Sequence, residues 1–354
     1  MDQSGITSNK YSTPFLKKVK NKVFRWMRLT NRPVVKVYNG YGSEKELVVF
    51  GHVLSLSPLP RKKFRKNIWT NTLSLIRLFM VTPMPSVKVE LHFSGEVITG
   101  ITDTDGFYYF QWHPLSVPVK GWNQVQVVLA EGQTHNYHGI IKGTGELFVP
   151  FDVRYAIISD IDDTFLISYS SNLWKRLYVL FTENAHSRRP FDGVVRHYQA
   201  LEFAGTDREH PNPFFYVSSS EWNLYNYITD FSWKNDLPKG IYLLNHLKSL
   251  SEIAKTGHNN HSAKFMRISR ILQAYPEQQF ILLGDDSQQD PFIYASVTEQ
   301  FSLQIRAVYL RNVFYKNTNA VNAAIARIRQ AGVPVCHFQH SKEALEHSSS
   351  AGLI

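Results

Sequence analysis

The fold of this 354-residue chain is decided by the stretch Ile157-Ile158-Ser159-Asp160-Ile161-Asp162-Asp163-Thr164. The apolar run that begins at Tyr155 predicts a buried parallel strand, because such strands are covered on both faces. The acidic residues after it would lie at the carboxyl end of the strand, where open α/β sheets bind their ligands. A solvated turn uses the same residue types, so this stretch alone leaves both interpretations open.

Three later stretches favour a catalytic site. The apolar run 214–217 ends in Ser218-Ser219-Ser220, and the run 280–283 is followed by Gly284-Asp285 and then by Asp290. Between these two runs, Lys264 begins a pattern of helical period. The order along the chain is therefore strand and Asp-x-Asp-x-Thr, strand and Ser, Lys, then strand and Gly-Asp.

This order resembles that of the motifs of the haloacid dehalogenase superfamily. The residues around these motifs resemble one of its families, the actin-patch-associated phosphatidate phosphatases, over about residues 33–340. The matching stretches are Asp160-Ile-Asp-Asp-Thr164, Arg189-Pro-Phe-Asp-Gly-Val194, Tyr216-Val-Ser-Ser-Ser220, Leu237-Pro-Lys-Gly240 and Gly284-Asp-Asp-Ser287, with Asp290-Pro291 and Tyr294. The chain departs from the family at Glu221, where Pro is expected, at Asn245-His246, where Arg-Asp is expected, and at Asp286, where Ser is usual. These departures bear on the substrate more than on the reaction.

The resemblance implies a Rossmann-like parallel α/β sheet in residues 151–340. Its strands are expected at about 155–159, 214–218, 280–284, 304–310 and 334–338. Before this domain, residues 33–150 contain short runs of β-formers separated by Gly, Pro and Asp, which predicts a smaller all-β, sandwich-like domain with a basic helical insertion. Residues 1–32 are a basic N-terminal segment, and residues 341–354 a Ser-rich tail.

The resemblance also implies a role for each motif residue. Asp160 would be the nucleophile, and Asp162 the acid and base that serves the leaving group and then water. Ser218 and Lys264 would hold the phosphoryl oxygens. Asp160, the carbonyl of Asp162, Asp285 and Asp290 would hold Mg²⁺ or orient its waters. Further substrate contacts are expected from Thr164, Ser219, Arg188 and Arg189, although the two arginines also suit a surface pair. Asp286 is expected either to support the metal ligands without touching the metal or to cap its loop.

Positive charge is concentrated in the first quarter of the chain. Residues 1–80 carry an excess of 13 positive charges, whereas the remainder carries a net charge of −3. Residues 15–29 have the period of a basic amphipathic helix with a Trp, and the basic run 61–66 precedes an apolar helical segment up to residue 80. Such segments suit an anionic membrane surface, but they also suit helices packed on the domains with solvated basic faces.

These observations favour a Mg²⁺-dependent phosphatase that acts on a lipid phosphate such as phosphatidate. Two alternatives remain: a phosphatase of soluble monoesters, and a catalytically silent module that binds membrane or nucleic acid. Nucleic acid is disfavoured because no standard nucleic-acid-binding motif is present. The single cysteine, Cys336, and the lack of a signal peptide or a long apolar segment predict a cytoplasmic protein in peripheral contact with the membrane.

Overall fold

The computed structural model describes residues 29–30, 32–58, 77–132, 139–161, 193–247, 260–313 and 318–354. No helix within these ranges is both long and apolar enough to cross a membrane. The predicted residues Asp162, Thr164, Arg188 and Arg189 lie outside the described residues. So do almost all of the basic segments 15–29 and 61–80, and their proposed contact with a membrane remains a prediction of the sequence.

The amino-terminal half forms a largely antiparallel sheet. Its strands are β1 (Leu29–Thr30), β2 (Val34–Val37), β3 (Gly40–Gly42), β4 (Leu47–Pro58), β5 (Thr82–Pro83), β6 (Lys88–Phe93), β7 (Glu96–Ile101), β8 (Phe107–Trp112), β9 (Gly121–Leu129) and β10 (Ile141–Val149). The long strand β4 pairs with β1, β2, β3, β5 and β8, and β3 continues through β10 and β9 to β6 and β7. Leu29 is therefore the start of a strand rather than the last residue of a helix.

Strand β4 contributes to two hydrophobic cores because its side chains alternate between the faces of the sheet. Val49 and Val53 lie in a core enclosed by the first sheet itself, together with Val89 of β6. Val48 and Phe50, the neighbours of Val49 in the strand, point to the opposite face and join the core of the second half of the chain. The first sheet is thus joined to the second by shared apolar packing.

The second half is an α/β unit with a six-stranded parallel sheet. Its strands are β11 (Tyr155–Ser159), β12 (Phe214–Glu221), β13 (Gly240–Asn245), β14 (Gln279–Asp285), β15 (Ile305–Arg311) and β16 (Val335–Phe338), in the order β13-β12-β11-β14-β15-β16. Its helices are α1 (Val194–Glu202), α2 (Tyr225–Lys234), α3 (Asn260–Ala274), α4 (Asp290–Phe301), α5 (Asn319–Gln330) and α6 (Ser341–Ser350). A 3₁₀ turn, Trp222–Leu224, precedes α2. Strand β11 is central and fully buried.

Two substantial strands were missed by the sequence analysis. Strand β10 contains Gly143 and Gly145, which weaken its strand pattern. A Cβ atom at Gly143 would lie 2.3 Å from the carbonyl oxygen of Val35, so both glycines occur where β2 approaches closely. Strand β13 has only a short apolar run, which periodicity cannot distinguish from part of a buried helix.

The predicted tail, residues 341–354, is structured: its first ten residues form α6. Serine is a modest helix former, but packing overrides propensity here. Ala344 and Ser348 are fully buried, and Leu353 is nearly so. His340 and Glu343 form a capping box at the start of the helix. The prediction of a tail was wrong because the face that carries these small residues packs on α1 and β16.

Aromatic rings connect the two halves. Tyr38 stacks on Trp222 with ring centroids 4.2 Å apart and an interplanar angle of 11°. The Asn39 side chain donates to the carbonyl oxygen of Gly240 at 3.0 Å, and the Tyr275 hydroxyl donates to that of Gly42 at 3.1 Å. These contacts hold the first sheet against β12, β13 and α3, which carry part of the candidate site.

The buried His197 under α6 should make the fold sensitive to acid. Burial lowers the pKa of His197 to about 4, and the positive charges of Arg311 and His347 contribute to the shift. As the pH falls, the unfolded chain therefore binds a proton near pH 6.5, whereas the folded chain binds it only near pH 4. Stability should therefore fall between about pH 6.5 and pH 4, by on the order of 3 kcal/mol from this residue. His197→Asn keeps a polar partner for Ser348. We expect this variant to have a urea-denaturation midpoint that changes less with pH over that interval. Parallel curves for variant and wild type would contradict this role.

Candidate active site

The candidate site lies where the strand order of the parallel sheet reverses. The chain proceeds from β11 to β12 and β13 on one side, and β14 then pairs with the other side of β11. In open α/β sheets, the crevice at the carboxyl ends of the strands flanking this point is the usual place for a ligand. Asp160 directly follows β11 and Asp285 ends β14, so both carboxylates occur at this crevice.

A buried lysine joins two of the carboxylates. Lys264 Nζ donates to Asp160 Oδ1 at 2.6 Å and also to Asp290 Oδ1, and the three side chains are at most 5 % exposed. Burial by itself would lower the pKa of Lys264, but the charges of Asp160 and Asp290 outweigh it and raise the pKa. The ammonium group is therefore permanently charged and neutralises part of the acidic cluster.

The third carboxylate leaves oxygen atoms without partners. Asp285 Oδ1 accepts a hydrogen bond from the Ser287 amide at 2.6 Å. Asp285 Oδ2 and Asp290 Oδ2 are both buried, and neither has a hydrogen-bond partner among the described residues. Burial and then the charge of Asp290 raise the pKa of Asp285 to about 8. A cation bound between these carboxylates would lower the pKa of Asp285 and offset the repulsion from Asp290.

A divalent cation fits this arrangement. Oxygen atoms of Asp160, Asp285 and Asp290 all lie within 4.8 Å of one another. Mg²⁺ prefers oxygen ligands, and a few carboxylates with water and phosphate oxygens usually complete its coordination. The buried, unpartnered oxygens of Asp285 and Asp290 are donors of that kind, so the chain can hold such an ion here.

Local packing explains why these carboxylates converge. A Cβ atom at Gly284 would lie 2.6 Å from Asp290 Oδ2, so only glycine lets Asp290 approach the end of β14. Tyr294, one turn along α4 from Asp290, donates its hydroxyl to the carbonyl oxygen of Leu283 at 2.8 Å. Asp290 also lies in the first turn of α4, where the positive end of the helix dipole favours a carboxylate.

The predicted phosphate-binding serines lie on the neighbouring strand. Ser218 is fully buried at the end of β12, and its hydroxyl oxygen accepts a hydrogen bond from the Ser220 amide at 2.8 Å. Ser219 is half-buried beside it. Sequence analysis missed Arg267, whose Nη1 donates to the Ser218 carbonyl oxygen at 3.3 Å. Its position one turn after Lys264 was the signal that could have revealed it, because residues three apart share a helix face.

Asp286 ties the end of β14 to its neighbours. Its Oδ1 accepts a hydrogen bond from the Val313 amide at 3.0 Å, and its Oδ2 is paired with His337 Nε2 at 2.9 Å. The side chain therefore caps the loop that follows β15 and pairs with β16, which fits the second of the two roles expected for it. The structure thus brings together Asp160, Ser218, Lys264, Asp285 and Asp290.

Part of the chain is similar to known proteins. Residues 155–312 match the family model for the catalytic domain of phosphatidate phosphatase APP1. The phosphatidate phosphatase APP1 of Saccharomyces cerevisiae is 30% identical over 158 residues, a match that covers 44% of this chain and 25% of the yeast protein. The chain thus spans about a quarter of the length of the curated relative that it matches.

Solved structures add little. A carbohydrate acetylesterase from Xanthomonas citri aligns with a TM-score of 0.30 at 10% identity, covering 89% of this chain and 73% of the other. A mutant of the PilB minor pilin from Streptococcus sanguinis aligns with a TM-score of 0.29 at 11% identity, covering 96% and 95%. Scores this low carry no argument about the fold. The sequence match is more informative: residues 155–312, within the α/β half, are similar to the catalytic domain of phosphatidate phosphatase APP1.

Proposed function

We propose that this protein is a Mg²⁺-dependent phosphatase of the haloacid dehalogenase type that hydrolyses a lipid phosphomonoester. Phosphatidate is the proposed substrate, with diacylglycerol and inorganic phosphate as products. The observation that carries the proposal is the buried cluster of Asp160, Asp285 and Asp290 around Lys264 at the edge of the parallel sheet. A catalytically silent module would have no reason to retain three buried carboxylates and leave two of their oxygens unpartnered.

The proposed reaction has two displacements at phosphorus. A carboxylate oxygen of Asp160 attacks the phosphorus, the bond to the lipid oxygen breaks, and Asp162 gives that oxygen its proton. Asp162 then takes a proton from water, whose oxygen attacks the phosphorus of the aspartyl-phosphate, releasing inorganic phosphate and regenerating Asp160. Ser218 and Lys264 hold the phosphoryl oxygens in both steps. Mg²⁺, when bound by Asp160, Asp285 and Asp290, would offset the negative charge of the phosphate.

The lipid nature of the substrate rests on the family match and on the basic first quarter of the chain. An anionic membrane attracts basic residues near its surface by about 1 kcal/mol each. We therefore propose a cytoplasmic enzyme that contacts the membrane peripherally. The competing proposal, a soluble monoester as substrate, predicts different kinetics.

A substrate panel separates these proposals. Phosphate release would be measured from phosphatidate in micelles, from dioctanoyl phosphatidate and from p-nitrophenyl phosphate, each with Mg²⁺ and with EDTA. We expect the largest kcat/KM on phosphatidate and no turnover in EDTA. Hydrolysis of p-nitrophenyl phosphate alone would favour a soluble substrate, and a requirement for zinc would contradict the choice of metal.

Asp160→Asn should abolish turnover with little effect on the fold. The amide has nearly the same shape as the carboxylate but is a very poor nucleophile, so we expect a loss of at least about 10⁴-fold in kcat. Rapid quenching with ³²P-labelled substrate should trap a phosphoryl-enzyme in the wild type and none in the variant. Asp152→Asn is the matched control, because Asp152 is a surface residue paired with Lys120. Substantial activity in a folded Asp160→Asn protein would refute the nucleophile assignment.

Mg²⁺ should stabilise the folded protein through Asp285. A ligand present at about 100 times its Kd adds about 2.7 kcal/mol to stability, so Mg²⁺ should raise the Tm of the wild type measured by calorimetry. Asp285→Asn should lose that shift and melt higher than the wild type in EDTA, because it removes a buried carboxylate that faces Asp290. The exposed Asp236→Asn should behave like the wild type. An undiminished Mg²⁺ shift in Asp285→Asn would exclude Asp285 as a ligand.

A further inference from the structure

A pocket of about 220 Å³ lies between the first sheet, the end of β13 and α3, the helix that carries Lys264. Its walls include the aromatic residues Phe50, Phe107, Tyr109 and Trp222 and the guanidinium groups of Arg267 and Arg270. Arg267 is one helical turn from Lys264 and donates to the Ser218 carbonyl oxygen. Arg267 therefore connects the wall of the pocket to the strand that carries Ser218.

Arg267 is a cation whose charge is not balanced by a carboxylate. Its Nη1 donates to the Ser218 carbonyl oxygen at 3.3 Å and its Nη2 to Asn245 Oδ1 at 3.2 Å, both neutral acceptors. In the part of the chain that the structure describes, neither Arg267 nor Arg270 forms an ion pair. Burial and then Arg270 lower the pKa of Arg267 to about 10, so it is still charged at neutral pH. Its remaining N–H donors are available to a ligand in the pocket.

Two aspartates decide which kind of acceptor fits. Asp103 and Asp105 also line the pocket. Asp103 accepts hydrogen bonds from the amides of Asp105 and Phe107, and Asp105 faces His246 at 3.5 Å. The negative charges of these two carboxylates would repel a second dianionic group in the pocket. A neutral acceptor such as a carbonyl oxygen fits the donors without that repulsion.

The size of the pocket limits the ligand further. Pockets that enclose a drug-sized molecule measure about 300–1,000 Å³. At about 220 Å³, this pocket can enclose a few carbon and oxygen atoms next to the phosphate, but not two acyl chains. Its aromatic walls suit the carbon atoms of such a linkage, and its arginines suit the oxygens.

We propose that this pocket binds the glycerol–ester portion of a phosphorylated lipid, with Arg267 donating to an ester carbonyl oxygen while the phosphate occupies the acidic cluster. The acyl chains remain outside. This inference rests on the proposed phosphatase function, and it adds the requirement that the substrate carry acceptor oxygens close to its phosphate. Arg267 is then a residue that determines specificity between phosphomonoesters.

Arg267→Gln tests this role with three substrates that share a phosphate. Dioctanoyl phosphatidate carries ester carbonyls, dodecyl phosphate has a chain without them, and p-nitrophenyl phosphate has neither. We expect KM for dioctanoyl phosphatidate to rise about tenfold or more, as for the loss of a hydrogen bond to a charged group. The KM values for the other two substrates, and kcat for all three, should stay within about twofold.

Controls separate substrate binding from support of Ser218. Arg306→Gln removes a guanidinium group that donates to the Ala351 carbonyl oxygen, and it should change no constant. Arg267→Lys keeps the charge, and only its KM for dioctanoyl phosphatidate should change, to a value between those of the wild type and Arg267→Gln. This variant provides the test if Arg267→Gln does not fold. An equal loss on all three substrates would mean that Arg267 only positions Ser218, and unchanged constants would mean that the pocket is not used. Either result overturns the proposal.

A binding experiment distinguishes this inference from the proposed hydrolysis. Calorimetric titration of Asp160→Asn protein with dioctanoyl phosphatidate in Mg²⁺ requires no turnover. We expect Asp160→Asn/Arg267→Gln to bind at least about tenfold more weakly. Weaker binding by the double variant together with an absence of hydrolysis in the wild type would reject the phosphatase function and keep the pocket. Equal binding by both proteins would reject the pocket.

Discussion

The structure depends on the electrostatic balance of three carboxylates and one ammonium group. Asp160, Asp285 and Asp290 converge in a region with almost no exposure, where Lys264 is the cation that pairs with them among the described residues. Such a cluster is costly because buried charges are stable only when they are paired or bound to a cation. The cluster lies at the reversal of strand order, where the sheet opens to a ligand. The free-energy cost of burying these charges therefore falls at the place where a ligand can bind. Packing around the cluster, with glycine at 284 and Tyr294 bound to the Leu283 carbonyl oxygen, holds the charges together.

The first sheet is part of this arrangement. Its strand β4 packs one face into its own core and presents Val48 and Phe50 to the core of the α/β half. Tyr38 stacks on Trp222, which lies two residues beyond Ser220 at the end of β12. The aromatic wall of the pocket is therefore supplied by the junction of the two halves. An isolated α/β half would lack the residues of the first sheet that line this pocket.

The sequence predicted the strands best where an apolar run ends in a polar motif. Strands β11, β12 and β14 were predicted close to their observed limits, because each is an apolar run that ends in a polar motif. The approach of Asp160 to Asp285 could be predicted because parallel strands bring their carboxyl ends to one edge. The approach of Lys264 and Asp290, which lie on helices, was expected only from the family resemblance. Strand β10 was missed because its glycines reflect a close approach of β2, a tertiary contact that no local pattern records. Helix α6 was missed because its Ser-rich sequence is stabilised by packing rather than by propensity.

Arg267 was missed although it follows Lys264 by three residues on the same helix, and the two residues differ in what surrounds them. Both are cations on α3, one turn apart. Two carboxylates raise the pKa of Lys264, whereas burial and Arg270 lower that of Arg267. Lys264 is thus committed to the acidic cluster, and Arg267 keeps donors for an uncharged acceptor. A phosphomonoester bound across both would have its dianionic end beside the lysine and the proposed cation, and its ester linkage beside the arginine. The two side chains are fixed one turn apart on the same helix. The distance between the phosphate and the ester oxygens of a substrate would therefore have to match the distance between these two groups.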